Sequence, residues 1–268
     1  MSEPTPPHGN RRPVAYLNEK FLNSPDARAI RILSEFLEPL AHFRRESIRD
    51  TVVFFGSARI RETGPMANYY QDARSLARLL TEWAEQFTNS THRFVVCSGG
   101  GPGIMEAANR GASEAGGKTV GLNIGLPFEQ FPNTYITPEL SFEFHYFFMR
   151  KFWFAYLSKA LVVFPGGFGT LDEMMEILTL TQTQKLAKKI TIVLYGSAYW
   201  KEIVNFDALV RHGMISPQDL DLFHYADTPE AAFGLLKAGL EMYAQHPESP
   251  EMPAIAHSRN AHKPGGTY

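Results

Sequence analysis

The stretch that most constrains the fold is Leu161-Val-Val-Phe-Pro-Gly-Gly-Phe-Gly-Thr-Leu-Asp-Glu173. Its first four residues are continuously apolar, as in a strand covered on both faces. Pro165-Gly166-Gly167-Phe168-Gly169 breaks that run. From Thr170 onward, Leu171, Met174, Met175 and Leu178 recur at helix spacing. A strand, a glycine turn and a helix start therefore follow one another directly. A helix start carries unpaired N–H groups and the positive end of the dipole, which suits a phosphate. Glu173 lies one turn further in, about 5 Å along the axis. Phosphate donors and a carboxylate at that separation match the two ends of a sugar phosphate.

The same alternation runs through the 268 residues. Apolar runs at 51–55, 93–97, 119–124, 161–164 and 190–195 read as strands, and 141–146 as a further one. Helical periodicity covers 26–48, 67–87, 104–115, 147–160, 199–210 and 229–244. The expected fold class is α/β: a Rossmann-like, doubly wound, mostly parallel sheet with helices on both faces, plus N- and C-terminal helical extensions. The polar, Pro- and Gly-rich ends at 1–14 and 246–268 read as flexible tails. That leaves 15–245 as one nucleotide-binding domain.

Bulk properties exclude several classes. A net charge of −2 and a pI near 6.5 leave no electrostatic footprint for nucleic acid. The single cysteine, Cys97, sits in an apolar run and excludes an internal disulfide or a cysteine metal cluster. The nine histidines show no metal-ligand spacing. No apolar run approaches a membrane span or a signal-peptide core, so a cytoplasmic protein without membrane contact is expected.

Other motifs take their meaning from local context. Gly99-Gly100-Gly101-Pro-Gly103 after the 93–97 strand suits a phosphate or ribose. Glu106 stands where the dinucleotide fingerprint needs its third glycine, so a plain structural turn is an equal reading. Gly116-Gly117-Lys118-Thr119 echoes a P-loop, but Ala112 replaces the first glycine and the order is helix to strand. Thr170-Leu-Asp-Glu173 also satisfies a capping box. The three glycines before it favour a ligand, since a cap needs none of them. On the aromatic helix, Arg150 shares the face of Tyr146 and Phe147, and Lys151 is the more solvated of the pair. That helix carries more apolar surface than one face needs, which points to self-association. Lys185, Lys188 and Lys189 read as dipole compensation in the last turn of their helix.

On these residues the chain resembles the Lonely Guy (LOG) family, which also carries an old lysine decarboxylase label. The family signature pairs Arg-Lys on one helix with Pro-Gly-Gly-x-Gly-Thr-x-x-Glu on a strand–helix turn. Arg150-Lys151 supply the first, and Pro165 to Glu173 match the second in full. Ser57 after the first strand, the Gly99-Gly100-Gly101 triplet, Thr179 and Gln182 agree more weakly. Leu126-Pro127-Phe128-Glu129 is similar to the family loop with a substrate-binding glutamate. The resemblance implies hydrolysis of the N-glycosidic bond of a purine nucleoside 5′-monophosphate, AMP or a cytokinin riboside monophosphate, to free base and ribose 5-phosphate. It implies catalytic roles for Glu173 and Arg150. It implies substrate contacts from Ser57, Gly100, Gly101, Glu129, Lys151, Gly166, Gly167, Phe168, Gly169, Thr170 and Thr179. It further implies a homodimer or higher oligomer with no metal or organic cofactor. The rival expectation is a non-catalytic nucleotide-binding or carrier protein on the same fold, since fold does not fix function.

Overall fold

The structure is a computed structural model that describes residues 12–87, 90–125, 131–186 and 188–245. Its elements in chain order are α1 (Glu19–Leu22), α2 (Arg28–Arg45), β1 (Thr51–Phe55), α3 (Ala67–Ala84), β2 (Val95–Ser98), α4 (Ile104–Glu114), β3 (Thr119–Ile124) and β4 (Ser141–Phe144). They continue with α5 (Phe147–Leu157), β5 (Ser158–Val163), α6 (Phe168–Gln182), β6 (Thr191–Tyr195), α7 (Ser197–Ile203), α8 (Phe206–Arg211), β7 (His224–Ala226) and α9 (Pro229–Gln245). Most of the segments expected to be tails, 1–14 and 246–268, lie outside the described residues, as does Glu129 with its loop.

The strands form one sheet in the order β4-β3-β2-β1-β5-β6-β7, and every neighbouring pair is parallel. The winding starts at β1, runs outward through β2, β3 and β4, then resumes on the other side of β1 with β5, β6 and β7. Such a reversal leaves a crevice at the carboxyl ends of the two central strands, here β1 and β5.

Alternate residues of each strand feed opposite cores. Val53 and Phe55 of β1 join a cluster with Phe43 of α2, Trp153 of α5, Met174 of α6 and Trp200 of α7. Val52 and Phe54 join the other cluster, with Tyr70 and Leu76 of α3, Ile104 of α4 and Leu236 of α9. Both faces of the sheet are therefore covered, which explains the unbroken apolar runs.

Several expected elements differ in extent. The helix expected over 147–160 stops at Leu157, because Ser158 is already extended at φ −64° and ψ 134°. Residues 158–160 are buried in the sheet, with Ser158 beside Thr51 and Ala160 beside Val52 and Thr191. Tertiary pairing there overrides helix periodicity. The helix expected over 199–210 is two, since Val204 is extended and the Asn205 side chain caps α8 by accepting from the Ala208 N–H. Strand β7 was not anticipated, its three residues being too few for a period.

The three lysines at 185–189 do not close their own helix, which ends at Gln182. Lys188 Nζ instead donates to the Ala155 and Tyr156 carbonyls at the C-terminal end of α5, at 2.8 and 2.7 Å. The apolar surplus on α5 is met in part within the chain. Phe36 of α2 lies 5.6 Å from Phe152 and 5.7 Å from Trp153, and Phe43 lies 5.2 Å from Trp153. Phe147 and Phe148 remain half exposed.

At the opposite edge of the sheet from the crevice, just before β1 and β2 begin, Asp50 and Arg93 form a buried pair at 2.7 Å. Asp50 also accepts from the Phe94 N–H, and Arg93 Nη2 donates to the Tyr243 carbonyl of α9.

Candidate active site

A cleft of about 780 Å³ occupies the crevice between the ends of β1 and β5. One wall is the loop after β1, from Gly56 to Ile60, with Pro65 and Met66 beyond it. The other is Pro165 to Leu171 with Glu173, and Arg150 and Phe154 of α5 line it too.

The glycines after β5 set how that wall is built. Helix α6 begins at Phe168, and its cap position is Gly167, which offers no side chain. The first backbone N–H to find a helical acceptor is that of Leu171, which donates to the Gly167 carbonyl at 3.0 Å. Phe168, Gly169 and Thr170 thus occupy the first turn, where N–H groups precede any helical acceptor. A Cβ on Gly167 or Gly169 would meet nothing within 4 Å, so both backbones border open space. A Cβ on Gly166 would lie 2.1 Å from Thr170 Oγ1, so this glycine makes room for the threonine hydroxyl. The capping box weighed on sequence is not formed. Thr170 is the third helical residue rather than the cap, and Glu173 turns to Arg150 instead.

That contact is the chemical centre of the cleft. Arg150 Nη2 donates to Glu173 Oε1 at 3.2 Å, with side chains only 14% and 6% exposed. The guanidinium also lies over the Phe147 and Phe154 rings, at 5.4 and 5.5 Å from their centroids. Its Nε is buried without a hydrogen-bond partner. Burial pushes the Glu173 carboxyl up to about 7, against the pull of the Arg150 and Lys151 charges. Burial also lowers the Arg150 pKa, while Glu173 opposes that shift. A carboxyl poised near neutrality beside a cation can hold or release a proton at ordinary pH.

The structure separates the other sequence candidates. Ser57 lines the cleft, and its hydroxyl accepts from the Arg59 N–H at 3.0 Å. Lys151 turns away from the cleft and pairs with Asp172 at 2.8 Å and Glu176 at 3.2 Å on the outer side of α6. Thr179 is exposed about three turns along α6, its hydroxyl donating to the Met175 carbonyl. Gly100 and Gly101 are buried in the wall, where their carbonyls accept from Asn133 Nδ2 at 3.0 and 3.1 Å; of their triplet only Gly99 reaches the cleft.

The residues that line the cleft without any local signal in the sequence include Arg59, Met66, Tyr199 and Ile203. Tyr199 donates its hydroxyl to the Gly166 carbonyl at 2.8 Å and so props the turn from α7. The available signal was topological, since α7 follows β6, the strand beside β5. Among the described residues, no group of three or more His, Cys, Asp or Glu side chains could hold a metal ion. No helix among them is long and apolar enough to cross a membrane.

Fold and cleft together define a doubly wound α/β protein with a ligand crevice at its switch point. The family model described as "Possible lysine decarboxylase" matches residues 105–236, a span that contains both Arg150 and Glu173. A probable cytokinin riboside 5′-monophosphate phosphoribohydrolase of Oryza sativa subsp. japonica is 29% identical over 171 residues, which are 63% of this chain and 63% of the rice protein. The match therefore spans less than two thirds of that relative. A cytokinin riboside 5′-monophosphate phosphoribohydrolase of Arabidopsis thaliana is 26% identical over 204 residues, covering 75% of this chain and 86% of its own. Among solved structures, the X-ray structure of TM1055 is 22% identical with a TM-score of 0.51, covering 70% of this chain and 99% of that one. That likeness concerns the fold alone. By signature and relatives, the chain is similar to the cytokinin riboside 5′-monophosphate phosphoribohydrolases of the LOG family and to the proteins under the lysine decarboxylase label.

Proposed function

We propose that this protein hydrolyses the N-glycosidic bond of a purine nucleoside 5′-monophosphate, AMP or a cytokinin riboside monophosphate. The products are the free base and ribose 5-phosphate. The observation that carries the reading is the buried Arg150–Glu173 pair beside the open first turn of α6. The names of the plant relatives support the same chemistry.

In this reading the 5′-phosphate lies against the N–H groups of Phe168, Gly169 and Thr170 and the Thr170 hydroxyl. The ribose then reaches Glu173 one turn away. Cleavage of the bond between C1′ and the base builds positive charge on the sugar. The Glu173 carboxylate stabilises that charge and takes a proton from the attacking water as its oxygen bonds to C1′. The bonding pair leaves with the base, which Arg150 orients and whose negative charge it offsets. Lys151 acts one step removed, holding Asp172 and Glu176 on the outer side of α6. Glu129, outside the described residues, supplies a further substrate contact. The protein works in the cytoplasm without a cofactor, as a homodimer or higher oligomer that uses the exposed Phe147 and Phe148.

The deciding experiment incubates the full chain with a panel of nucleoside 5′-monophosphates and follows free base by chromatography. Release of adenine or a substituted adenine by the wild type, lost in Glu173→Gln and Arg150→Ala, supports the reading. AMP binding by calorimetry with no base released would establish the carrier alternative instead.

A further inference from the structure

We infer that Glu35, on the N-terminal helix α2, is a positioning residue that sets Arg150 against Glu173. This rests on the reading of that pair as the reacting centre. The Glu35 carboxylate accepts from the His145 N–H at 2.8 Å and the Tyr146 N–H at 3.2 Å, spanning 110 and 111 residues of sequence. Helix α5 has no side-chain cap of its own, because Tyr146 at its cap position supplies none. Glu35 therefore ties down the entry to α5 from outside, and its negative charge sits at the favourable end of the dipole.

The tie leads directly to the cleft. Tyr146, held at its N–H by Glu35, accepts through its carbonyl from the Met149 and Arg150 N–H groups at 3.1 and 3.2 Å. Arg150 then reaches Glu173. A carboxylate on α2 is thus three bonded steps from the carboxylate on α6. Loosening the first turn of α5 moves the backbone that carries Arg150, the cation opposing the effect of burial on Glu173.

Two features make the side chain testable without detaching α2. Trp153 Nε1 donates to the Glu35 main-chain carbonyl at 2.9 Å, a bond any residue at 35 retains. Phe36 and Phe43 keep their packing on Phe152 and Trp153. The charged groups facing Glu173 are Arg150 and Lys151 on α5 and Asp172 and Glu176 on α6. Glu35 is not among them, so it acts through geometry rather than through its field.

The test compares the wild-type full chain with Glu35→Gln and Glu35→Ala. The Glu173 carboxyl is titrated by carbon-13 NMR, its signal assigned through Glu173→Gln. Thermal unfolding and adenine release from AMP are followed in parallel. Positioning predicts that the Glu173 midpoint rises by about half a pH unit as Arg150 loosens. Turnover then falls about tenfold at saturating AMP. Should the alanine variant fail to fold, the glutamine variant, which keeps one acceptor oxygen, still decides the matter. An unchanged midpoint, with or without a lower Tm, overturns the inference, because a purely structural brace leaves the titration alone. A downward shift also overturns it, since that is the sign of a lost negative field. If the wild type releases no base at all, the proposed function fails, while the titration still decides the role of Glu35.

Discussion

At Gly100, in the turn after β2, an added Cβ would lie 2.1 Å from the Asn123 amide oxygen, on a backbone with φ +73°. At Gly167, in the turn after β5, an added Cβ would meet nothing within 4 Å, and φ is −92°. Both turns follow a buried central strand and open a helix, and each has a glutamate three residues after a glycine or threonine. Their neighbours differ throughout. The first turn is tied inward, with Ser98 Oγ accepting from the Gly100 N–H and donating to Asn109, and Asn133 spanning Gly100, Gly101 and Asn109. Gly103 lets the start of α4 come within bonding range of the Ser57 carbonyl, which accepts from the Ile104 N–H at 3.1 Å. Glu106 there accepts from the Tyr70 hydroxyl. Glycine in the first turn removes side chains so that the protein can pack on itself. In the second only Gly166 is used that way, against Thr170, and Gly167 and Gly169 border open space. Composition does not separate these uses; the space around each Cβ does.

The largest expected effect separates the two glutamates. Glu173→Gln lowers the rate of base release by about 10²-fold or more, whereas Glu106→Gln leaves it within a few-fold. Equal losses in a steady-state assay of both variants would erase the distinction. Next in size, Gly100→Ala destabilises the fold by about 3 kcal/mol, because the new methyl group overlaps Asn123 and the backbone is strained. Denaturant unfolding checks this, and a loss below about 1 kcal/mol would show the first turn to be less packed than described. The pH dependence of kcat/KM is third. Glu173 must be ionised to act as the base, and burial has raised its carboxyl to about 7. As pH falls below 7 the carboxylate is lost, so kcat/KM drops about tenfold per unit, with a plateau above. A profile flat between pH 5 and 7 contradicts that assignment. The smallest effect falls on Gly167→Ala, which keeps stability within about 0.5 kcal/mol while its methyl group enters the cleft and raises KM several-fold. A matched drop in Tm would place the second turn in the same class as the first.

The alternation of apolar runs and helical periods was enough to read a doubly wound sheet, because both faces of its strands are covered. Boundaries failed where sequence carries no break. Ser158-Lys159-Ala160 continues the helical pattern of α5 and is recruited to the sheet by Thr51, Val52 and Thr191. At the site, Arg150 and Glu173 were both singled out, although only folding brings residues 23 apart in sequence to 3.2 Å. The capping box was a sound local reading that lost to the glycines, which let α6 begin two residues before Thr170. Lys151 belongs to the signature and Thr179 to its weaker marks, yet neither lines the cleft. Arg59, Met66, Tyr199 and Ile203 carry no local motif, and topology alone gathers them at the crevice. Glu35 was invisible for the same reason, being a polar position in an amphipathic helix whose partners lie 110 residues on.

The Asp50–Arg93 pair has a mechanical meaning. It binds the starts of β1 and β2 to each other, and through the Tyr243 carbonyl to the far end of the last described helix. A plate riveted along one border flexes most at the opposite one. The cleft lies on that opposite border, between the loop at 56–66 and the turn at 165–169. The rivet lies a full strand length from the cleft and, through its hydrogen bonds, holds β1 to β2 and α9.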